Sequence, residues 1–283
     1  MKYSRKRIIG SLIPLLAILM FIYIYPLGRV VVSAFYGFTG STAGKFVGFN
    51  NFKMIAPDIP KKVKVTLIWT FGSVIPSMIL GLILALICKS IKKGKRGIIS
   101  ANLIPYSIPL IVVASCWRFT YNTDFGFLNV FLKKIGVISE SISFLGYDHA
   151  LASVIVARIW RATPFAFMNY YSALLSIPGD QYEAAWVDGA GPFETFRYIT
   201  LPNLKQITLS TLLVLTVWTF LVFDIIFGLT GGGPIDATKT ISMQIYQEMF
   251  SMKNLGTSSA WSLIAIIILV ILTVLYWNLM NRG

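Results

Sequence analysis

Charge is what this sequence has least of. Only 13% of its 283 residues are Asp, Glu, Lys or Arg, where soluble domains carry about 25%. That is too little polar surface for a water-soluble fold of this size. Acidic residues are the scarcer sign, 11 against 25 Lys and Arg. Histidine occurs once, so a metal centre, which needs several ligands, has too few candidates; His149 reads as a loop residue at a helix start. The two cysteines, Cys88 and Cys116, lie inside apolar segments, are expected to be small core residues and offer no disulfide framework. A nucleotide site is missing as well. The nearest glycine-rich stretch, Gly40 to Lys45, has one residue too few between its glycines and Phe46 where a phosphate-binding loop needs Ser or Thr. No catalytic triad or metal-ligand cluster stands out. The chain is therefore expected not to be an enzyme and to hold no cofactor or metal.

Apolar residues fill the space that charge leaves. They make up 56% of the chain, and the mean hydropathy is +0.73. Runs of about 18 or more apolar residues read as bilayer spans. Six such runs are present, at about 9–33, 65–88, 98–119, 150–176, 207–228 and 259–280. The expected fold is an all-α integral membrane protein, a single transmembrane domain over residues 1–283 with about six spans. Prolines 14, 26, 76, 105, 109 and 164 fall within these runs, and neighbouring helices can re-satisfy the backbone groups they free. The N-terminal MKYSRKRIIG has the basic start of a signal peptide. Its apolar run is too long, and no A-x-A cleavage site follows, so it is expected to stay as the first span.

The net charge of +14 has two readings. A nucleic-acid binder gathers Lys and Arg on a soluble face, whereas a membrane protein gathers them at cytoplasmic helix ends. Hydrophobicity favours the second. With both termini in the cytoplasm, the inside segments hold 12 Lys and Arg in 50 residues and the outside segments 9 in 91. The tightest cluster is Lys89, Lys92, Lys93, Lys95 and Arg96, in a short inside loop; Lys61, Lys62 and Lys64 run the other way.

That orientation leaves 177–206 as the longest cytoplasmic segment, and it is the most patterned. Pro178-Gly179 is expected to end the fourth span. Asp180 and Glu183 form a D-x-x-E variant of the capping box, opening a short helix with Ala184 and Ala185. Gly189 and Gly191 allow a tight turn, Pro192 suits the first turn of a second helix, and Pro202 is expected to end it. Small residues on the first helix let another backbone approach, which suits docking of a partner protein. The alternative is an amphipathic hairpin on the membrane surface.

Glu183-Ala184-Ala185, Gly189 and Ile199-x-Leu201-Pro202 resemble, at the same spacing, the EAA loop of the permeases of binding-protein-dependent ABC importers. The resemblance implies that this loop docks as a coupling helix in a cleft of a separate ATPase subunit. Phe46–Phe52 (FVGFNNF), Trp160 with Pro164-Phe165, Phe223-Asp224 and Thr230–Pro234 (TGGGP) are similar to carbohydrate-type permeases. The triple-glycine form resembles the maltose-type first permease, in the shorter six-helix version. The implied partners are a second related permease, an ATPase dimer carrying ATP and Mg, and an extracytoplasmic solute-binding protein, with lipid around them and no nucleic acid. The implied location is a bacterial or archaeal cell membrane, and the implied cargo is a sugar. A non-sugar ABC importer, or an ATPase-independent secondary transporter, is the alternative.

Ionisable residues inside spans are costly and therefore functional candidates. At 100° per residue, Arg158, Arg161, Ala162, Phe165, Asn169 and Ser172 share one face of the fourth span. Polar groups for hydroxyls and a ring for stacking suit a sugar path; the alternative is that the arginines bridge helices or snorkel outward. Leu215, Trp218, Thr219 and Val222 form a second face, on the fifth span. The resemblance to the maltose-system subunit places substrate contacts on both faces. Asp224 falls opposite the second face and reads as a structural partner for an arginine on a neighbouring helix.

Overall fold

The computed structural model describes residues 13–39, 42–91 and 93–281. Among these residues, five helices are long and apolar enough to cross a membrane, and a sharply bent pair makes up to six. Residues 9–12 of the first expected span lie outside the described residues.

The chain packs as two compact units. The smaller comprises 1–60 and 244–268. It begins with α1 (Ile13–Ser33), whose most apolar window has no buried residue. An antiparallel hairpin follows, β1 (Tyr36–Thr39) and β2 (Thr42–Phe46). The short α2 (Asn50–Ile55) then locks the turn back on itself: buried Asn51 donates from Nδ2 to the Ala34 and Tyr36 carbonyls at 2.8 and 2.9 Å. Phe35, Phe49 and Phe52 pack ring against ring beside it. The FVGFNNF motif is thus a folded corner.

The larger unit comprises 61–243 and 269–283. Its first helix, α3 (Ile59–Ser90), carries Pro76 without breaking. Its buried side is mostly small, with Thr70, Ser73, Ser77, Gly81 and Ala85, which lets helices approach closely where lipid gives no hydrophobic drive. The third expected span, 98–119, is two helices: α4 (Lys95–Ser107) and α5 (Leu110–Thr120) meet at 98°. The cause is local. Pro109 pushes the preceding Ile108 out of the helical region, to φ −84° and ψ 134°.

After α6 (Phe127–Lys134), α7 (Ala150–Ser176) is a single straight-through span with Pro164 inside it. Then come α8 (Gly179–Val187) and α9 (Pro192–Leu221). The fifth expected span, 207–228, also needs correction. Its helix starts at Pro192 and stops at Leu221, Val222 is extended at φ −69° and ψ 128°, and α10 (Asp224–Thr230) is separate. Gly231, at φ +61°, closes α10 in a left-handed cap, its N–H donating to the Ile226 carbonyl. Short α11 (Ile241–Tyr246) precedes α12 (Leu255–Asn281), the last span. The core of this unit is a cluster around Val74, Met78, Ala85, Ala162, Phe167, Tyr170 and Leu215.

Candidate functional site

Two regions hold the residues that the sequence singled out. The first is the loop after α7. The chain leaves α7 through extended Ile177 and Pro178, and Pro178 occupies the cap position of α8. The expected capping box at Asp180 does not form: Asp180 already lies in the first turn, where its charge favours the helix dipole. Half of such a box forms one helix later: the Gly191 N–H donates to Glu194 Oε2 at 2.9 Å, and glycine has no side chain to return the bond. Gly189 makes the turn at φ +79°, and Pro192 opens the next helix.

Pro202 does not end that helix. A π-turn over Phe196–Thr200 widens it, with Leu201 N–H donating to the Phe196 carbonyl, and the helix runs on through Pro202 into the membrane. The wider turn takes up the carbonyl clash that a proline causes inside a regular helix. The second half of this segment is therefore the rigid root of a span.

α8 buries none of its residues. Glu183 and Ala184 are exposed, and Ala185 is half-buried. Trp186, Val187, Phe193 and Tyr198 add an exposed apolar surface, between 67 and 88% accessible. Ile199 is half-buried, while Leu201 and Pro202 are exposed on α9. Three contacts tie α8 down. Lys89 Nζ sits 4.2 Å from the centre of the Tyr182 ring. The Tyr182 hydroxyl lies 3.2 Å from the Thr200 hydroxyl, and Asn203 donates to Gln181 at 2.9 Å. Glu183 and Trp186 line the same hollow as Lys89 and Tyr182.

The second region is a recess of about 370 Å³ within the larger unit, lined by Tyr106, Leu110, Arg158, Arg161, Trp218, Leu221, Val222, Phe223 and Asp224. Both helix breaks open onto it, Tyr106 and Leu110 flanking one and Leu221 to Asp224 spanning the other. Interrupted helices of this kind put irregular backbone at membrane depth only where protein or a cavity surrounds it. Buried Arg158 donates from Nη2 and Nε to the Thr219 hydroxyl, at 2.9 and 3.2 Å. The Thr219 carbonyl in turn accepts from Trp69 Nε1 at 2.9 Å, so one residue joins α3, α7 and α9. Arg161 stacks on Tyr106, its guanidinium carbon 4.5 Å from the ring centre, and its Nε donates to no described residue. Phe165 sits between Tyr106 and exposed Trp218, with ring centres at 6.2 and 4.9 Å.

The predicted faces are therefore divided. Arg158, Arg161 and Trp218 reach the recess wall, and Phe165 backs it. Ala162 and Leu215 lie in the apolar core instead, and Asn169 donates to the Phe165 carbonyl of its own helix. Asp224 lines the recess but forms no ion pair with either arginine among the described residues. Its placement opposite the second face assumed an unbroken helix, and the break at Val222 removes that assumption. Tyr106, Leu110 and Tyr182 went unremarked in the sequence, and Lys89 was noted only as one of the basic residues of its loop. Only the Ile108-Pro109 step carried a local signal for any of them.

A third feature was also missed. On the loop after α10, Asp236 pairs with Lys62 Nζ at 2.6 Å and with Lys239. The Lys62 side chain is 2% exposed. Partial burial works against the Asp236 charge, but the hydrogen bonds and charges of Lys239 and Lys62 outweigh it and hold the carboxyl below its ordinary value.

Over 94% of this chain, 34% of residues are identical to the trehalose/maltose transport system permease protein MalF of Thermococcus litoralis, 90% of which is covered. Over 85% of the chain, 31% are identical to the sn-glycerol-3-phosphate transport system permease protein UgpA of Agrobacterium fabrum, 82% of which is covered. The fold is similar to that of a chain in a bacterial ABC transporter involved in the import of the acidic polysaccharide alginate, with a TM-score of 0.85, 20% identity, and 97% of this chain and 95% of that one covered. Residues 64–282 match the family described as the inner membrane component of binding-protein-dependent transport systems. A multi-span helical chain with the EAA spacing and these relatives belongs to that family, a family of ABC transporter permeases.

Proposed function

We propose that this chain is one of two membrane subunits of an ATP-driven sugar importer, forming half of the path for a saccharide delivered by an extracytoplasmic solute-binding protein. The observation that carries the sugar reading is the 34% identity, across nearly the whole chain, to a trehalose/maltose permease. ATP and Mg belong to a separate ATPase pair. α8 is the coupling helix. It is a short, unburied element with an apolar surface, and its contacts to Thr200 and Asn203 fasten it to α9, so a push on it reaches that span. Both termini face the cytoplasm, as the distribution of Lys and Arg supports.

Purification of the tagged chain from cells co-expressing its neighbouring transport genes tests this. The expected result is co-purification of an ATPase and a second permease, with hydrolysis stimulated by the saccharide-loaded binding protein. Glu183→Lys is expected to abolish uptake while the chain still inserts. Normal uptake by that variant, or solute transport without any ATPase, overturns the reading.

A further inference from the structure

The charges of the recess do not balance, and they do not meet. Two guanidiniums and one carboxylate line the same volume, yet no arginine-to-Asp224 pair forms among the described residues. Arg158 is 6% exposed and is held by a hydroxyl, not by an acid. Among the described residues, Arg161 is held by a ring face alone, and its Nε makes no hydrogen bond. A cation at membrane depth without a counter-charge is unfavourable, and retained intramembrane charges mark ligand paths or partners. The remaining wall is apolar, half aliphatic (Leu110, Leu221, Val222) and half aromatic, with Tyr106 and Trp218 both partly open.

We infer that this recess takes an acidic saccharide, one bearing a carboxylate or a phosphate. This rests on the importer function proposed above and narrows its substrate class. The acidic group accepts from the Arg161 fork and the free edge of Arg158, in the charge-assisted geometry that guanidinium favours. Sugar hydroxyls donate to Asp224, which accepts and cannot donate when ionised. The pyranose face lies on Trp218 or Tyr106. Each kind of wall group then has a counterpart on one molecule. A neutral saccharide satisfies Asp224 and the rings but leaves both arginines without a counter-charge. Inorganic phosphate satisfies the arginines but is repelled by Asp224 and ignores the rings.

The test uses the complete transporter, with its binding protein, in proteoliposomes. ATP-dependent uptake is compared for trigalacturonate and maltotriose, and for sn-glycerol 3-phosphate and glycerol. The expected result is preference for the acidic member of at least one pair. Arg161→Gln is then expected to lower acidic uptake by about tenfold or more, the worth of one hydrogen bond to a charged group, without changing ATPase co-purification. Arg161 donates to no described residue, so the substitution removes its stack on Tyr106 and no hydrogen bond among them. Preference for maltotriose, with uptake unaffected by Arg161→Gln, overturns the inference and leaves the sugar-importer function standing. Uptake of glutamate in place of every saccharide overturns both. If Arg161→Gln fails to assemble, the preference of the unmodified transporter still decides.

Discussion

The cytoplasmic loop and the membrane recess are both candidate sites, yet the chain supports them in opposite ways. The loop is held by its own sequence. Gly189 takes the left-handed turn, Glu194 caps its own helix, and three side-chain contacts through Lys89, Thr200 and Asn203 fasten α8 to its neighbours. The recess is held by tertiary packing. Thr219 is fully buried and joins three helices, and Arg158 crosses from α7 to reach it. A part that must receive a push has to be exposed and lightly held. A part that must keep charges apart in a membrane has to be rigid. On the proposed coupling role, motion would enter this chain at a site whose own unfolding is cheap and act at a site whose unfolding is not.

The same substitution separates the two most sharply. At Gly81 a Cβ would lie 2.6 Å from the Ala166 Cβ and 2.7 Å from the Phe167 backbone nitrogen. Backbone cannot yield as a flexible side chain does, so Gly81→Ala is expected to cost about 3 kcal/mol, the upper range for overpacking. At Gly189 nothing lies within 4 Å, and the only obstacle is φ +79°. Gly189→Ala is therefore expected to cost about 1 kcal/mol, the left-handed penalty. Thermal unfolding of the two purified variants checks the ratio; equal shifts would break the comparison.

Local and tertiary support also explain what was readable beforehand. The Gly189 turn and the start at Pro192 follow from residues within a few positions, and both are where the spacing put them. Pro202 was misread because the rule that proline ends a helix holds for a regular turn, and the π-turn just before it changes the hydrogen-bond register. In the recess, the break at Ile108-Pro109 had a pre-proline signal that the hydropathy of 98–119 masked. The break at Val222 had none: its neighbours are Leu221 and Phe223, and no glycine or proline marks it. Arg158 and Arg161 stood out as charges in an apolar run. That one meets Thr219 and the other Tyr106 depends on how three helices cross, which periodicity along one helix cannot state.

Within the recess, Thr219 is the residue to remove. Thr219→Val keeps the shape and deletes the acceptor of both Arg158 hydrogen bonds. The expected loss is about 2 kcal/mol, within the range for a bond to a charged group. Thr219→Ser, which keeps the hydroxyl, is expected to lose under about 1 kcal/mol, the scale of the deleted methyl. A Val variant as stable as the original would mean that Arg158 finds another acceptor and that the recess is less rigid than described.

In the loop the matching residue is Tyr182, and here the effect belongs in coupling more than in stability. Tyr182→Leu removes the ring under Lys89 and the hydroxyl beside Thr200 together. At a partly exposed site these are worth about 1 kcal/mol each at most. The solute moved per ATP hydrolysed is expected to fall several-fold, because α8 loses its links to α3 and to Thr200. Tyr182→Phe keeps the ring and is expected to fall in between. Loss of stability with unchanged solute per ATP would make Tyr182 a packing residue only.

The smallest effect tests a third kind of support, a tie between a loop and a helix through charge. Asp236 carries a carboxyl held below its ordinary value by Lys239 and Lys62 against partial burial. A carboxyl lowered in the folded state contributes stability that is present above its unfolded value, about 4, and is lost as pH falls through the lower folded value. More than a third of the Asp236 side chain is exposed, so solvent and salt weaken the tie. The expected observation is a small difference in thermal midpoint between the original chain and Asp236→Asn, constant from neutral pH down to the carboxylate range and closing below it. A difference that persists unchanged in acid would show that Asp236 acts by shape, and that charge fastens neither this loop nor α8 as strongly as backbone geometry does.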